Sequence, residues 1–345
     1  MIILKGSLLC FRNRAISLCT IFKVADSGII FLFPDRTIMT AEVISKQKSY
    51  IMGTRLPFVS ASVLPAVLGA VWCWAFGSEF FLVNAVLGVL GVLFLHLGGN
   101  TINDYFDWDE SDRINRFPTP FSGGSRSRIE HILTRRSFLY MSVIFFMFAA
   151  ATGLLLILVG RPHVLLIGTI GGLCGILYST KPFSFQSRGL GELVIFLAFG
   201  PLITLGMGYI NFGIFRPEYF LVGIPNGLVV ANILWINEFP DYEADRNAGK
   251  RNLVVRLGTS ASRYGYAALE MLFYLSVIVL ILRELYPLWS CLLFLSLPLS
   301  LQTTRRMWKH HADPQAIVPA QAGTIQFQAL TAGLTIASFI LGKYF

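Results

Sequence analysis

Five carboxylates fall within nine residues in the stretch Asn103-Asp104-Tyr105-Phe106-Asp107-Trp108-Asp109-Glu110-Ser111-Asp112, directly after an apolar run over 80–97. If a helix continues through it, Asn103 and Asp107 lie at i and i+4 on one face, with Asp104 just ahead of Asp107. Carboxylates at a helix C-terminus oppose the macrodipole and repel one another, so the arrangement calls for a cation. It occurs a second time. After the apolar run 219–236 the chain reads Asn237-Glu238-Phe239-Pro240-Asp241-Tyr242-Glu243-Ala244-Asp245-Arg246, with Asp241 and Asp245 again at i and i+4. Either cluster alone reads as well as solvated loop charge. As a matched pair they suit Mg²⁺, a hard ion that takes one or two carboxylates together with substrate phosphate oxygens, so a diphosphate is the expected ligand. With nothing positive between them, the two acidic loops should repel each other.

The elements that must position these clusters are apolar. The chain is 54% hydrophobic and 14% charged with mean hydropathy +0.64, far from the soluble balance in which about a quarter of residues are charged. Stretches near bilayer-crossing length recur at 58–76, 80–99, 138–160, 163–179, 190–212, 218–236, 265–282, 287–302 and 327–342. The fold class expected is an all-α polytopic membrane protein, with nine transmembrane helices around a central cavity and two Asp-rich cytoplasmic loops. From Lys46 onward, the segments before span 1 and after spans 2, 4, 6 and 8 carry 19 Lys and Arg, against 4 in the remaining connections and the C-terminus. By the positive-inside rule the N-terminus and both acidic clusters face the cytoplasm and the C-terminus lies outside. The net charge of +9 is therefore a topology signal that calls for no nucleic acid; it also suits anionic lipid and an anionic substrate.

Residues 1–45 read as a poorly ordered N-terminal extension, with Met39 an alternative start; residues 46–345 read as one domain of two related halves, with Asp motifs at 103–112 and 237–245. Arg55, where span 1 enters from the interface, reads as an anchor or as a phosphate contact. The long connection 101–137 also contains Gly123-Gly124-Ser125-Arg126-Ser127-Arg128, whose backbone N–H groups and guanidinium groups could cradle a phosphate. Span 4 ends in Tyr178-Ser179-Thr180-Lys181, which puts an ammonium at the same membrane face as both clusters. The second cluster continues into Gly249-Lys250-Arg251, mirroring the first loop. The five cysteines are scattered and look like small buried hydrophobes, and His310-His311 beside Arg305, Arg306 and Lys309 reads as a basic membrane-edge loop.

At these residues the sequence resembles the UbiA superfamily of membrane prenyltransferases, whose N-D-x-x-D-x-x-x-D and D-x-x-x-D motifs appear as Asn103-Asp104-x-x-Asp107 and Asp241-x-x-x-Asp245. The resemblance covers about residues 50–345. Thr54-Arg55-x-Pro57-Phe58, Gly123-Gly124-Ser125-Arg126 and Arg188-Gly189-Leu190-Gly191-Glu192 are most similar to the 1,4-dihydroxy-2-naphthoate prenyltransferases of menaquinone synthesis. The chain departs from the pattern twice: the last aspartate of the first motif is Asp112, one residue late, with Asp109 as the alternative, and Pro240 stands where many relatives have a basic residue. The resemblance implies Mg²⁺ held among Asn103, Asp104, Asp107, Asp112, Asp241 and Asp245. It implies catalytic roles for Asp107, Asp241, Asp245 and Lys181, and substrate contacts from Asn103, Tyr178, Arg126, Arg128, Asn237, Lys250 and Arg55. The implied partners are a polyprenyl diphosphate, an aromatic small-molecule acceptor and the lipid bilayer, in a bacterial or archaeal cell inner membrane. Other acceptors of the superfamily are 4-hydroxybenzoate, homogentisate and a glycerol-phosphate lipid. A non-catalytic polyprenyl-diphosphate binder or transporter would use the same acidic pair. The scarcity of charge inside the spans, with both clusters at one interface, favours an enzyme.

Overall fold

A computed structural model of the chain describes residues 9–10, 21–25, 28–32, 49–108, 111–125 and 132–345. The chain divides into two units, Met1–Ser49 and Tyr50–Phe345. In the first, strands β1 (Leu9–Cys10), β2 (Ile21–Ala25) and β3 (Gly28–Leu32) form an antiparallel sheet in the order β1-β2-β3.

The second unit is helical. Its main elements are α1 (Ser60–Phe76), α2 (Leu82–Phe106), the single turn α3 (Ser111–Ile114), α4 (Arg135–Leu158), α5 (Val164–Ser179), α6 (Gly191–Phe212), α7 (Ile224–Asn247), α8 (Leu253–Leu257), α9 (Thr259–Leu282), α10 (Leu297–His310) and α11 (Val318–Tyr344). Among the described residues six helices are long and apolar enough to cross a membrane: α2, α4, α6, α9, α11 and the run Pro217–Asn247 that contains α7. The expected spans at 58–76 and 163–179 form helices of 17 and 16 residues, shorter than the ~20 residues of a straight crossing. The stretch expected at 287–302 is a 3₁₀ segment, Leu288–Ser296, that runs on as α10.

Helix boundaries follow local chemistry. Thr134 caps α4 by accepting the Ser137 N–H at 3.2 Å, and Asn252 caps α8 by accepting the Val255 N–H at 2.8 Å; each side chain satisfies one of the four N–H groups a helix start leaves open. Gly213, with φ of 75°, stops α6 in the left-handed region that favours glycine.

The helix that carries the second motif lies at the centre. In the Pro217–Asn247 run 72% of the most apolar window is buried, against 22% in α4, so α7 is wrapped by protein and α4 turns most of its apolar surface outward. Helices α6, α9 and α11 pack on α7, and the single turn α3 packs on its C-terminal part. Helices α6 and α7 cross backbone to backbone. Gly200 lies in a π-helical turn, Ala198–Leu202, and faces Gly223 and Gly227, a G-x-x-x-G pair at the start of α7. A Cβ on Gly200 would stand 2.4 Å from the Gly223 carbonyl oxygen, and one on Gly227 2.4 Å from that of Phe196; only bare backbone fits, the device by which apolar helices approach closely where no hydrophobic effect drives them together. Asn226 Nδ2 donates to the Phe199 carbonyl at 3.0 Å, satisfying a backbone acceptor where the π turn and Pro201 disturb the ladder. Below this crossing, Trp235, Ile236 and Phe239 of α7 pack with Tyr266 of α9, Met307 of α10 and Ala320 of α11. With α7 held on three sides, its C-terminal turns have one face left for the site.

Candidate active site

Both acidic motifs project from helix ends onto one cavity. α2 runs to Phe106, and Asp107 caps it with its N–H on the Asn103 carbonyl at 2.8 Å; α7 stays helical through Asp241 and Asp245 to Asn247. The cavity has a volume of about 400 Å³, and Asn103, Asp107, Asp112, Asp241 and Asp245 all line it. From this polar end it extends between α2, α4, α5 and α6 along apolar side chains and the glycines Gly91, Gly153, Gly168 and Gly171. At Gly153 and Gly168 an added Cβ would meet nothing within 4 Å, so this limb is a real void alongside the helices.

The aspartates of the two motifs still repel one another across the cavity, and each has donors of its own. Gln186 Nε2 donates to Asp107 at 2.8 and 3.0 Å and lies 2.9 Å from Ser179 Oγ, which itself reaches Asp107 at 3.3 Å. Asp241 accepts from Asn115 Nδ2 at 2.7 Å and from the backbone N–H of Gly123 at 3.2 Å. That N–H is presented by a turn in which Gly123 and Gly124 have φ of 81° and 76°, backbone that a side chain would strain. Asp245 accepts from Asn252 Nδ2 at 2.9 Å and lies 3.7 Å from Lys250 Nζ. Amide and N–H donors set the carboxylate orientations while adding little charge, as donors behind metal-binding carboxylates commonly do. Gln186→Leu is therefore expected to leave the fold intact and lower activity by about 10–100-fold, read as turnover per folded protein in detergent with the Mg²⁺ requirement shifted upward.

The placement of the other predicted residues divides them. Arg55, Tyr178, Asn237 and Lys250 line the cavity. Asp104, expected among the metal ligands, is not on that wall: it is fully buried and holds the Arg55 guanidinium. Burial works against the charge on Arg55, but Asp104, Asp112 and Asp107 outweigh it and raise its pKa above the ordinary value. Arg55 also sits at φ of 52°, uncommon for a residue with a side chain, so its guanidinium is tied in place beside the motif rather than left to trail at the interface. Lys181 is exposed and outside the cavity lining; the ammonium on the wall is that of Lys250. Arg126, Arg128 and Asp109 lie outside the described residues.

Three wall residues escaped the sequence reading. His96 of α2 lines the cavity with Nδ1 2.7 Å from Ser62 Oγ and its ring edge-on to Phe199 at 4.9 Å. Gln186 is the tether on Asp107. Glu238 stands one turn before Asp241 on the same face of α7. The signal for Glu238 was available as i, i+3 spacing from Asp241, and that for His96 as i, i+7 spacing from Asn103, two turns up the same helix face; for Gln186, in a 3₁₀ turn, there was none.

Among the described residues no three His, Cys, Asp or Glu side chains converge closely enough to hold a metal unaided. The donor set still fits Mg²⁺, which keeps several waters and takes one or two carboxylates plus substrate oxygens. The buried Asn103 Oδ1, on the cavity wall and without a hydrogen-bond partner, is an oxygen ligand of the required kind.

Residues 62–325 match the model of the UbiA prenyltransferase family. The chain belongs to that family. With six helices fit to cross a bilayer, this UbiA-family chain is an integral membrane protein, and the family makes it an enzyme, a prenyltransferase. It is 26% identical over 316 residues to the 1,4-dihydroxy-2-naphthoate octaprenyltransferase of Escherichia coli (strain K12), covering 89% of this chain and 99% of that one. It is 29% identical over 294 residues to the UbiA prenyltransferase domain-containing protein 1 homolog of Drosophila melanogaster, covering 84% and 79%. In fold it is similar to the apo UbiA homolog from Aeropyrum pernix K1, with TM-score 0.65 at 16% identity over 81% of this chain and 97% of that one. It is similar too to the UbiA homolog from Archaeoglobus fulgidus bound to GPP and Mg²⁺, with TM-score 0.56 at 17% identity over 83% and 99%.

Proposed function

We propose that this UbiA-family prenyltransferase moves a polyprenyl group from its diphosphate to 1,4-dihydroxy-2-naphthoate or a close quinone precursor. The observation that carries this reading is the meeting of Asp107 from α2 with Asp241 and Asp245 from α7 on one cavity whose far limb is apolar and glycine-lined. A diphosphate at the acidic end would leave its hydrocarbon chain in that limb. Mg²⁺ bound by Asn103, Asp107, Asp241 and Asp245, with Asp112 at the edge, would supply charge neutralisation for the leaving diphosphate. Arg55 and Lys250, both on the wall, meet the charge that grows on the departing oxygens. The C–O bond of the donor breaks with its electron pair going to the diphosphate, and the electron-rich ring attacks the allylic carbon. The apolar wall excludes water that would otherwise capture the cation. With the dihydroxynaphthoate acceptor, the ring carboxyl group leaves as carbon dioxide when aromaticity returns.

The acceptor choice draws on the name of the Escherichia coli relative; the Drosophila relative's name specifies none. Counting α1, α5 and the continuous run 288–310 with the six long helices gives the nine-span arrangement, in which charge bias puts both motifs on the cytoplasmic side. Mass spectrometry of membranes given Mg²⁺, one polyprenyl diphosphate and a panel of acceptors tests the reading. Prenylated, decarboxylated naphthoquinol should be the main product. If 4-hydroxybenzoate, homogentisate or a glycerol phosphate is prenylated and the naphthoate is left untouched, the acceptor assignment fails.

A further inference from the structure

The apolar limb of the cavity stops against a packed surface. Its last side chains are Met207 and Ile210 of α6, Leu156 of α4 and Val164 of α5, set against Gly88 of α2. Gly88 is where the closure is made. A Cβ there would stand 2.3 Å from Ile210 Cδ1 and 2.8 Å from Met207 Sδ, so both side chains lie directly on the bare α2 backbone. Met207, Ile210 and Leu156 are each 2% exposed and belong to one packed cluster with Ala66 and Ala70 of α1. The backbone behind them is tied. The Ile210 carbonyl accepts from Asn84 Nδ2 of α2 and from Arg161 Nε of the α4–α5 connection, both at 2.8 Å, and Arg161 Nη2 donates to the Asn211 carbonyl at 3.1 Å. A close-packed surface on fixed backbone yields little to a chain end pressed against it. About one turn nearer the acidic motifs the wall is open: Gly153 and Gly168 line the cavity there, and a Cβ on either would meet nothing within 4 Å. The limb therefore keeps its width down to this floor and then ends.

A donor chain built from five-carbon units lengthens only in steps, so a fixed floor divides donors sharply. From Asn103 at the acidic end to Gly88 at the floor, α2 covers about 22 Å at 1.5 Å per residue. An extended five-carbon unit takes up about 5 Å at ordinary C–C bond lengths, so the limb holds about four units. A fifth unit meets Met207 and Ile210. It has either to displace packed side chains or to leave one unit's worth of apolar surface unburied, and both are unfavourable. Resting on the prenyl-transfer reading, we propose that Met207 and Ile210, closed over Gly88, are the specificity-determining residues for donor length and set its limit at about four units. Gly153 and Gly168 are the complementary part of the device, because by adding no bulk to the last turn of the limb they admit the fourth unit.

The test is competition between donors in one tube, with protein purified in detergent, Mg²⁺ and the acceptor that wild type prenylates in the panel above. The donors are prenyl diphosphates of two, three, four, five and eight units, and the products are separated by mass spectrometry. Product ratios report ratios of kcat/KM within one variant, whatever fraction of it is folded. Wild type should favour four units over five and over eight by about 10–100-fold, the worth of burying one unit. Met207→Ala and Ile210→Ala lower the floor and should raise the five-to-four ratio about tenfold or more. Gly153→Leu and Gly168→Leu fill the last turn of the limb and should lower the four-to-three ratio by about 10–100-fold. Because the two kinds of change move the limit in opposite directions, general damage to the fold does not imitate both. Should the trimmed variants fail to fold, the glycine variants, whose new side chains start in open space, carry the comparison. The proposal is overturned if wild type uses the eight-unit donor as readily as the four-unit one, the result expected if the chain leaves sideways between α4 and α5. It is equally overturned if the ratios of the floor and glycine variants match those of wild type. Absence of transfer by wild type from every donor to every acceptor would sink the prenyl-transfer reading itself, and that arm is read before any variant.

Discussion

Asp241→Ala lowers prenyl transfer by about 10²–10³-fold or more, the loss seen when one group aimed at developing charge is removed from a preorganised site. Asp107→Ala gives a loss of the same order. Both carboxylates line the same cavity from different helices, and each is held by its own neutral donors, Asp107 by Gln186 and Ser179 and Asp241 by Asn115 and the Gly123 N–H. Removing either leaves half of a two-sided grip, so raising Mg²⁺ should recover little. The measurement is turnover of a polyprenyl diphosphate with 1,4-dihydroxy-2-naphthoate in membranes, normalised to folded protein by size-exclusion chromatography. Near-wild-type turnover in both variants would remove these residues from the reaction.

The second large effect is on the fold. Gly227→Leu should destabilise the protein by about 3 kcal/mol, the upper end for overpacking, because the new Cβ meets the backbone oxygen of Phe196 rather than a side chain able to move. That corresponds to a fall of about 4 °C in the midpoint of heat denaturation for a chain of this size. Gly168→Ala is the control. Its Cβ would enter open space, and alanine is the better helix former by about 1 kcal/mol, so its midpoint should hold or rise. Equal midpoints for Gly227→Leu and wild type in detergent would mean that the α6–α7 crossing is looser than its backbone contact implies.

Which parts were legible in the sequence follows from which physical signals are periodic. Asp241 and Asp245, at i and i+4, and Asp107, one turn after Asp104, stood out because carboxylates clustered after long apolar runs oppose both the helix dipole and one another. Long spans such as α2, α4 and α9 were legible from hydropathy for the same kind of reason. The two shorter runs were legible as the helices α1 and α5, although their lengths fall below a straight crossing; 287–302 was not legible as built, because it splits into a 3₁₀ and an α segment, a change of hydrogen-bond register that apolar composition does not encode. Lys181 was a reasonable choice of cation from its membrane-face position, yet the loop geometry exposes it and turns Lys250 inward, a distinction that charge counting does not make. Asp104 looked like a ligand by motif, and its burial against Arg55 depends on a contact across 49 positions of sequence. Glu238 was hidden in plain view as one more acid in an acidic run; only its burial on the cavity wall beside Glu192 separates it from its neighbours.

The bonds that Asn115 and Gly123 make to Asp241 have a thermodynamic meaning for whatever enters the cavity. They come from the loop that follows the first motif and are received by the second, so the two halves of the chain are already latched together through a carboxylate. Two of the lone pairs on Asp241 are committed to the first half before anything enters, which leaves the others, already aimed, for a cation. The ordering of the two halves against each other is thus completed by folding and is not charged to the ligand that bridges them. Trimming Asn115 to alanine returns that ordering cost to the ligand and weakens binding.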